Sequence, residues 1–255
     1  MVESERENEV AMYLARRAYV YSLMHLVFGN EPNEECVSKI FAQQTHETAQ
    51  VVSSMLCEER FAALAAESVG AEELNLKACV DETVAGIAES VERGCNEGFR
   101  SLLASDYTKL FLVPGDSGVR VWESSYIGRE LMLFQESTLD VRAYYHAAGF
   151  KLQAERRFPD DHIAAMMDFM GRMGQRAYEA FADGSDAEAA DDIAASADFA
   201  RNHILTWVDG FAWDVVDKDP HGYYAAFACL MAAFAHMDIE LAGEISTLLA
   251  SGDRS

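Results

Sequence analysis

The sequence predicts an all-α fold built as one helical bundle. Apolar residues recur at helical spacing along nearly the whole chain, alanine is abundant, and only 4 of the 255 residues are proline. Alanine is the best helix former and proline the worst, and apolar residues three and four positions apart form one face of a helix. No segment alternates apolar and polar residues strongly enough to predict a sheet.

The N-terminal half is predicted to consist of helices separated by short breaks. The apolar face of the first helix contains Val10, Leu14, Tyr21, Met24 and Phe28. Asn30 and Pro32 are expected to end this helix. Further helices are predicted near 34–56, 58–69, 72–93, 99–113 and 139–148, with another beginning near Arg129. Pro114 is expected to stop the 99–113 helix, residues 115–126 to form the least helical stretch, and Gly149 to cap the last helix.

Residues 150–160 are predicted to form a hinge between an N-terminal half (1–149) and a C-terminal half (161–255) of a single domain. The C-terminal half is expected to begin with a long helix whose apolar face is rich in methionine (Ile163, Met166, Met167, Met170, Met173, Ala177 and Phe181). An acidic loop near 183–192 and helices near 189–215 and 221–250 complete the prediction.

Charge and cysteine content exclude several classes of protein. The chain has 43 acidic and 20 basic residues, a net charge of −23, which argues against nucleic acid or an anionic membrane as a partner. The same charge would favour a basic partner, or would simply keep the protein soluble. The 5 cysteines form no C-x-x-C pair, so neither a disulfide framework nor a cysteine-based zinc site is expected.

The N-terminus lacks the features of an export signal. Glutamates at 3, 5, 7 and 9 replace the basic region of a secretory signal, although Arg16-Arg17 before an apolar stretch superficially resembles a twin-arginine motif. No apolar run is expected to reach the roughly 20 residues that span a bilayer. These observations predict a cytoplasmic protein without stable membrane association.

The segment Pro159-Asp160-Asp161-His162 is the first candidate site. Proline fixes the entry to a helix, and Asp160 is expected to be its N-cap. Asp161 would then point outward from the first turn, where the helix field favours anions and keeps His162 neutral. The pair could offer a carboxylate and an imidazole to an incoming chain; the alternative is an ordinary acidic helix start.

Two aromatic motifs precede it. Tyr107, Leu110 and Phe111 share one helix face and could line an apolar groove, or could be core residues. Trp122, Ser124 and Tyr126 belong to the extended motif WESSY. A third row, His203, Trp207 and Phe211, has the i, i+4, i+8 spacing of one helix stripe, which we expect in the core with His203 hydrogen-bonded.

Taken in order, DYTKLFLVP (106–114), WESSY (122–126), STLDVRAYYHAAGF (137–150) and PDDHIAAMMDFM (159–170) resemble the TorD/DmsD family of redox-enzyme maturation proteins. The resemblance covers about 100–250 well and 10–30 loosely. It implies a cytoplasmic helical chaperone that binds the twin-arginine signal peptide or the apo-subunit of a molybdopterin oxidoreductase and delays its export until cofactor loading. The chaperone itself needs no cofactor and could be a monomer or homodimer.

The resemblance implies peptide contacts by Asp161 and His162, with WESSY beside the binding groove. Within this framework the client's arginines would pair with an acidic rim that includes Asp161. Its hydrophobic segment would lie against Tyr107, Phe111 and Phe28.

Three other functions remain open at this point. A NarJ-type assembly chaperone would attend an enzyme that is not exported, and an acidic all-α interaction module would have no redox client. A small metal-dependent enzyme is the third, but the sequence contains no H-E-x-x-H, G-x-S-x-G or phosphate-binding glycine loop. We therefore predict a protein that is not an enzyme and holds no metal.

Overall fold

The computed structural model describes residues 2–66, 68–69, 74–113, 115, 117–127, 136–151 and 159–251. Within them the all-α prediction is confirmed. The first eight helices are α1 (Val2–Gly29), α2 (Glu34–Ile40), α3 (Gln43–Met55), α4 (Ala62–Ala66), α5 (Leu76–Arg93), α6 (Glu97–Tyr107), α7 (Ser124–Ile127) and α8 (Glu136–Ala147). The last four are α9 (Ile163–Ala182), α10 (Asp186–His203), α11 (Val208–Lys218) and α12 (Tyr223–Ala250).

Three short elements complete the described structure. A 3-10 turn (Glu59–Phe61) precedes α4, and a π-helical turn (Thr108–Leu112) continues α6. Strands β1 (Ser68–Val69) and β2 (Leu74–Asn75) pair antiparallel, with Ser68 opposite Asn75. Asn75 also caps α5, because its side chain accepts a hydrogen bond from the Ala78 N–H.

Several predicted boundaries agree with the structure. The first helix ends at Gly29, and the last predicted helix, near 221–250, is α12. Gly149 follows α8 with φ +81°, the left-handed conformation expected after a helix end. Pro114, the region near Arg129 and residues 152–158 of the predicted hinge lie outside the described residues, so the division into two halves stays a prediction.

Other boundaries were wrong for local reasons. The predicted 34–56 helix is interrupted between α2 and α3, where the Thr45 hydroxyl donates to the Lys39 carbonyl. The predicted 189–215 helix is interrupted at Trp207. The indole Nε1–H of Trp207 donates to the His203 carbonyl, one of the carbonyl groups at the end of α10 that have no partner within the helix. His203, Trp207 and Phe211 are nevertheless buried as expected, although His203 ends α10, Trp207 precedes α11 and Phe211 lies in α11.

The acidic segment after α9 is also mostly helical rather than a loop. Only 183–185 separate α9 from α10, and Asp186 and Glu188 lie in the first turn of α10. Acidic side chains stabilise that end of a helix because the unpaired N–H groups give it positive character. The predicted loop therefore describes a favourable helix start.

Helices α1 and α9 pack antiparallel at close range. A Cβ on Gly171 would lie 2.6 Å from the Ser22 Oγ, and a Cβ on Gly174 would lie 3.0 Å from the Ala18 Cα. Only a hydrogen in place of a side chain permits this approach. The contact joins α1 to α9, the first helix of the predicted C-terminal half. The four methionines of α9 (Met166, Met167, Met170 and Met173) are buried.

A buried ion pair joins α1 to α12. The Arg17 Nε lies 2.9 Å and 3.0 Å from the two carboxylate oxygens of Asp238, and both side chains are fully buried. Tyr13 and Tyr21 donate to the same carboxylate at 2.8 Å and 2.9 Å, and the Arg17 Nη1 donates to Ser196 on α10 at 2.9 Å. Burial lowers the pKa of Arg17, but Asp238, Tyr13 and Tyr21 together raise it by more, so the guanidinium keeps its charge.

Helix α12 lies at the centre of the bundle, in contact with α5, α10 and α11. Contrary to the sequence-based expectation, it is long and apolar enough to cross a membrane by length and composition, but 67% of its most apolar window is buried inside the protein. Such burial is typical of a core helix. Its long apolar sequence is explained by the helices that surround it.

Replacing Gly171 by alanine should destabilise the fold, whereas replacing Gly243 by alanine should stabilise it. A Cβ at 171 meets Ser22, while a Cβ at 243 on α12 meets nothing within 4 Å. Alanine in an open helical position gains about 1 kcal/mol over glycine. Urea denaturation of the two variants measures both effects, and a stabilised Gly171→Ala variant would contradict the close packing of α1 and α9.

Removing Arg17 alone should cost more than removing both charges of the pair. Arg17→Met leaves a buried carboxylate without its cation, a change that typically costs about 3–5 kcal/mol of unfolding free energy. Arg17→Met with Asp238→Asn removes the stranded charge and keeps an acceptor for one tyrosine, so the double variant should be more stable than the single one. Equilibrium denaturation at pH 7 of Arg17→Met, Asp238→Asn and the double variant measures the three losses of unfolding free energy. A loss in the double variant equal to the sum of the two single losses would contradict the coupling.

Candidate functional site

The WESSY motif and the start of α9 are neighbours in the structure. Trp122 and His162 form an isolated antiparallel β-bridge. The Ile163 N–H donates to the Val121 carbonyl at 2.8 Å, and the Glu123 N–H donates to the Asp161 carbonyl at 3.1 Å. We call residues 119–127 the bridge segment. Backbone pairing thus brings together two motifs that are almost 40 residues apart in the sequence.

Asp161 does not point outward, as the sequence had predicted. It is fully buried, and its carboxylate accepts hydrogen bonds from the Ser124 N–H at 2.9 Å and from the Thr138 hydroxyl at 3.1 Å. The reason is that Asp161 lies in the turn before α9 and not in its first helical turn. Its carboxylate thus accepts from the first N–H of α7, an end of a helix where negative charge is favourable, and it links the bridge segment to Thr138 of α8.

Asp160 is not the N-cap of α9. His162 occupies that position, and its Nδ1 accepts a hydrogen bond from the Ala164 N–H at 3.1 Å. Asp160 is instead buried against α8, where it pairs with Arg142, whose Nε lies 2.6 Å from the Asp160 Oδ2. The predicted helix start was therefore two residues too early.

His162 is a neutral, half-buried imidazole. Its ring packs edge-on against Trp122, with 5.7 Å between the ring centroids. Burial lowers the pKa of His162 to about 4, against the opposing effect of Asp161. An Nδ1 that accepts the capping hydrogen bond leaves the proton of the neutral ring on Nε2. The sequence predicted the neutral form, although burial rather than the helix field is the main cause.

Phe28, Tyr107 and Phe111, which were predicted to line the same apolar groove, lie in one aromatic cluster. The Phe28–Phe111 and Tyr107–Phe111 ring centroids are 5.9 Å and 5.3 Å apart, and Tyr224 of α12 completes the cluster at 5.3 Å from Phe111. Phe28, Tyr107 and Leu110 are buried, and only Phe111 is half-buried. The cluster is therefore core behind the site, and the open groove wall that the sequence suggested is not seen at these residues.

A chain of aromatic rings connects this cluster to the bridge segment. Phe28 packs edge-on against Phe211 with 5.3 Å between ring centroids, and Phe211 packs edge-on against Trp207 at 5.8 Å. The Trp207 and Tyr126 rings are tilted, with centroids 5.2 Å apart. The Tyr126 hydroxyl donates to Asp214 at 2.8 Å. Burial and the Asp214 charge raise the pKa of Tyr126, so this hydroxyl stays protonated. The nine predicted site residues thus form one continuous region.

Two contacts of buried ionisable groups in this region were not predicted from the sequence. Glu123 is fully buried with its carboxylate 3.1 Å from the His203 Nδ1, and the His203 Nε2 lies 3.2 Å from Asp140. Burial raises the pKa of Glu123; burial also opposes protonation of His203, but the hydrogen bond to Glu123 raises the pKa of that imidazole. No spacing in the sequence indicates a contact between residues 80 positions apart.

Exposed carboxylates lie beside these buried groups. The Asp140 side chain is 64% exposed, and the Asp198 side chain is 55% exposed. Tyr144 lies between them: its hydroxyl donates to Asp198 at 2.7 Å, and its ring centroid is 5.2 Å from that of His203. We call Asp140, Tyr144 and Asp198 the acidic rim. Its two carboxylates, unlike that of Asp161, are exposed, and Arg201 lies 3.8 Å from Asp198.

The described residues contain no group of three histidine, cysteine, aspartate or glutamate side chains placed to hold a metal ion. The described part of the site consists of hydrogen-bonded turns, aromatic rings and exposed carboxylates. This arrangement can bind a chain that carries both apolar and cationic groups.

Comparison with known proteins identifies the family. Residues 73–212 match the family model described as nitrate reductase delta subunit, and the chain belongs to this family of TorD/NarJ-type chaperones. The match extends from just before α5 into α11 and includes the bridge segment, the acidic rim and the start of α9. The resemblance to the TorD/DmsD family is confirmed.

Curated relatives carry the name chaperone protein TorD. The chain is 31% identical over 136 residues to the protein from Photobacterium profundum and 30% identical over 143 residues to the one from Vibrio atlanticus. These alignments cover 53% and 56% of this chain, and the chain spans just under two thirds of those relatives, 62% and 65% of their lengths. The protein from Vibrio parahaemolyticus is 25% identical over 91% of this chain and 96% of its own length.

The neutral His162 makes stability depend on pH in a defined direction. Its folded pKa of about 4 is below the unfolded value near 6.5, so the unfolded chain binds more protons between these values and stability falls as pH drops from 6.5 to 4. His162→Asn keeps a good N-cap and removes the titration. Thermal melts of this variant should lose less stability over that range than the parent, while His46→Asn on α3 serves as control. A parent and a His162→Asn variant with the same pH slope would contradict the assignment.

Proposed function

We propose that this protein is a cytoplasmic chaperone of a molybdopterin oxidoreductase. It binds the twin-arginine signal peptide and apo form of that client and delays export until the cofactor is loaded. The observation that carries the proposal is the family match over 73–212, because that segment contains the whole acidic rim and bridge segment. The relatives named chaperone protein TorD support the same role.

The client is held by sequestration, without covalent chemistry. Trp122, Tyr126 and His162 are each half-buried, so part of each ring faces solvent and can cover an apolar segment. The other apolar residues of the predicted site support this surface from behind: Phe28, Tyr107 and Leu110 are buried, and Phe111 is half-buried. Because the imidazole of His162 is neutral, it presents a hydrogen-bond donor to the peptide without repelling the client's arginines.

The acidic rim is the proposed contact of the arginine pair. Arginine binds carboxylates through parallel N–H donors, and such charge-assisted hydrogen bonds contribute about 1.5–3 kcal/mol each. Asp140 and Asp198 are exposed, whereas Asp161 contacts Ser124 and Thr138. Asp161 is thus a positioning residue of the peptide site: it holds the bridge segment, and the rim carboxylates take over the role expected of it. The net charge of −23 accelerates encounter with a basic peptide.

The description of the matching family favours a second candidate. A chaperone of the NarJ type would assemble a nitrate reductase or similar molybdoenzyme that is not exported, and its client would lack the arginine pair. The two functions share the apolar surface and differ in the rim. Replacing both arginines of a bound peptide by glutamine therefore separates them: a loss of affinity supports an exported client, and unchanged affinity supports the second candidate.

Asp140→Asn should weaken binding of a twin-arginine signal peptide by about tenfold, which corresponds to 1.4 kcal/mol. Asp191→Asn, an exposed charge change elsewhere on α10, should change affinity less than about twofold, because exposed charges beyond a Debye length of about 8 Å are screened at physiological salt. The probe is a synthetic peptide containing the arginine pair and apolar segment of a signal from a molybdopterin oxidoreductase of the same cell. Titration calorimetry measures the affinities; equal effects of the two substitutions would exclude the rim as the arginine site.

A further inference from the structure

A cleft of about 640 Å³ lies on another part of the protein, between α5, α6 and the start of α12. Its volume is within the range of roughly 300–1,000 Å³ that is typical of ligand pockets. None of the residues that line it belongs to the bridge segment or the acidic rim. Helix α6 separates the two regions, since Leu102 lines the cleft and Tyr107 belongs to the aromatic cluster behind the bridge segment.

The floor of the cleft is aromatic and rigid. Phe99 and Tyr223 are half-buried with ring centroids 5.1 Å apart, and Phe41 packs beneath them at 5.1 Å from Phe99 and 5.8 Å from Phe227. The Thr83 hydroxyl donates to the Ala226 carbonyl at 2.9 Å and fixes α5 against α12. A fixed floor of ring edges and faces suits apolar anchors, which bind without first ordering the surface.

One wall of the cleft carries two glutamates and a gap, and Arg93 lines it at the end of α5. Glu82, Gly86 and Glu89 follow one another at i, i+4 and i+7 on α5 and all line the cleft. Gly86 is in the middle of the helix, where glycine costs about 1 kcal/mol relative to alanine, yet a Cβ there would meet nothing within 4 Å. No described part of the chain uses the space that this glycine leaves, so the gap suits the close approach of another molecule.

From this geometry we propose that the cleft docks a basic amphipathic helix of the client protein. Glu82 and Glu89 are seven residues apart, or about 10.5 Å along α5 at 1.5 Å per residue. In a helix docked alongside α5, two residues at i and i+7 are separated by the same distance. Basic residues at these positions therefore pair with the two glutamates, while apolar residues between them contact Phe99 and Tyr223. Glu89 also pairs with Arg93, but exposed pairs of this kind contribute only about 0.3–0.5 kcal/mol and yield to a partner.

The proposal rests on the proposed function only in taking the client as the source of the helix. The cleft and the acidic rim are separate surfaces, so a variant of one should leave the other intact. The two proposals can therefore fail independently, because one is tested with the signal peptide and the other with a generic basic helix.

The test uses a fluorescein-labelled 14-residue peptide with leucines on one helical face and lysines on its flanks. Fluorescence anisotropy should show binding to the parent protein and at least about tenfold weaker binding to Gly86→Trp, whose indole fills the gap; this factor corresponds to 1.4 kcal/mol. The matched control is Ala85→Trp, an exposed position of α5 outside the cleft, which should bind within about twofold of the parent. Circular dichroism establishes that both variants are folded.

Charge is tested with two further arms. Glu82→Gln should weaken binding more than Glu92→Gln, an exposed glutamate of α5 that does not line the cleft. A peptide with glutamate in place of lysine should bind at least about tenfold more weakly than the basic one. The inference is overturned if the parent does not bind the basic peptide, if Gly86→Trp binds it as tightly as Ala85→Trp does, or if the acidic peptide binds equally well. A Gly86→Trp variant that also loses the signal peptide would show that the two surfaces are not separate.

Discussion

The buried ion pair between Arg17 and Asp238 is the interaction on which the arrangement of the bundle depends. It joins the first helix of the chain to the last, and Ser196 brings in α10. Moving two charges out of water is costly, and the cost is offset only when every partner is in place. The two tyrosine hydroxyls also donate to the carboxylate, so any packing that separates α1 from α12 leaves a carboxylate or a guanidinium buried without compensation. We regard the pair as a device for specificity more than for stability.

This constraint also positions the proposed peptide site. Because α1 is fixed against α12, the close packing that Gly171 and Gly174 allow also fixes α9, and with it the first turn of α9, relative to α1. The N-cap of α9, His162, bridges Trp122, and Asp161 beside it binds the first N–H of α7. The bridge segment has no long helix of its own, so its conformation is determined by α9 and by these hydrogen bonds. The chain of aromatic rings from Tyr126 to Phe111 fills the space between the bridge segment and α12.

Periodicity predicted helix content well and interactions across the fold poorly. The apolar face of α1, the methionine face of α9 and the glycine after α8 follow from spacing and local conformational preference alone. The burial of Asp161 does not, because it depends on hydrogen bonds to Ser124 and Thr138, 37 and 23 residues earlier in the chain. The same holds for Glu123 and His203, which are 80 residues apart. The predicted site residues do lie in one region of the fold, but motif order could not tell which of them face solvent, and only an exposed carboxylate is free to contact another molecule.

Two separate binding surfaces of low affinity would suit a chaperone of this kind better than one surface of high affinity. A client must be held long enough for cofactor loading and then released, which a single very tight site would prevent. When two weak contacts belong to one client, the second forms at an effective concentration set by the connecting chain, and the combined affinity can exceed either one by about 10²–10⁴. Loading of the cofactor and folding of the client would withdraw the helix from the cleft and remove that gain. The signal peptide would then be held only by its own site, the acidic rim and the neighbouring aromatic rings, and its release would follow from the folding of the client without any chemistry in the chaperone.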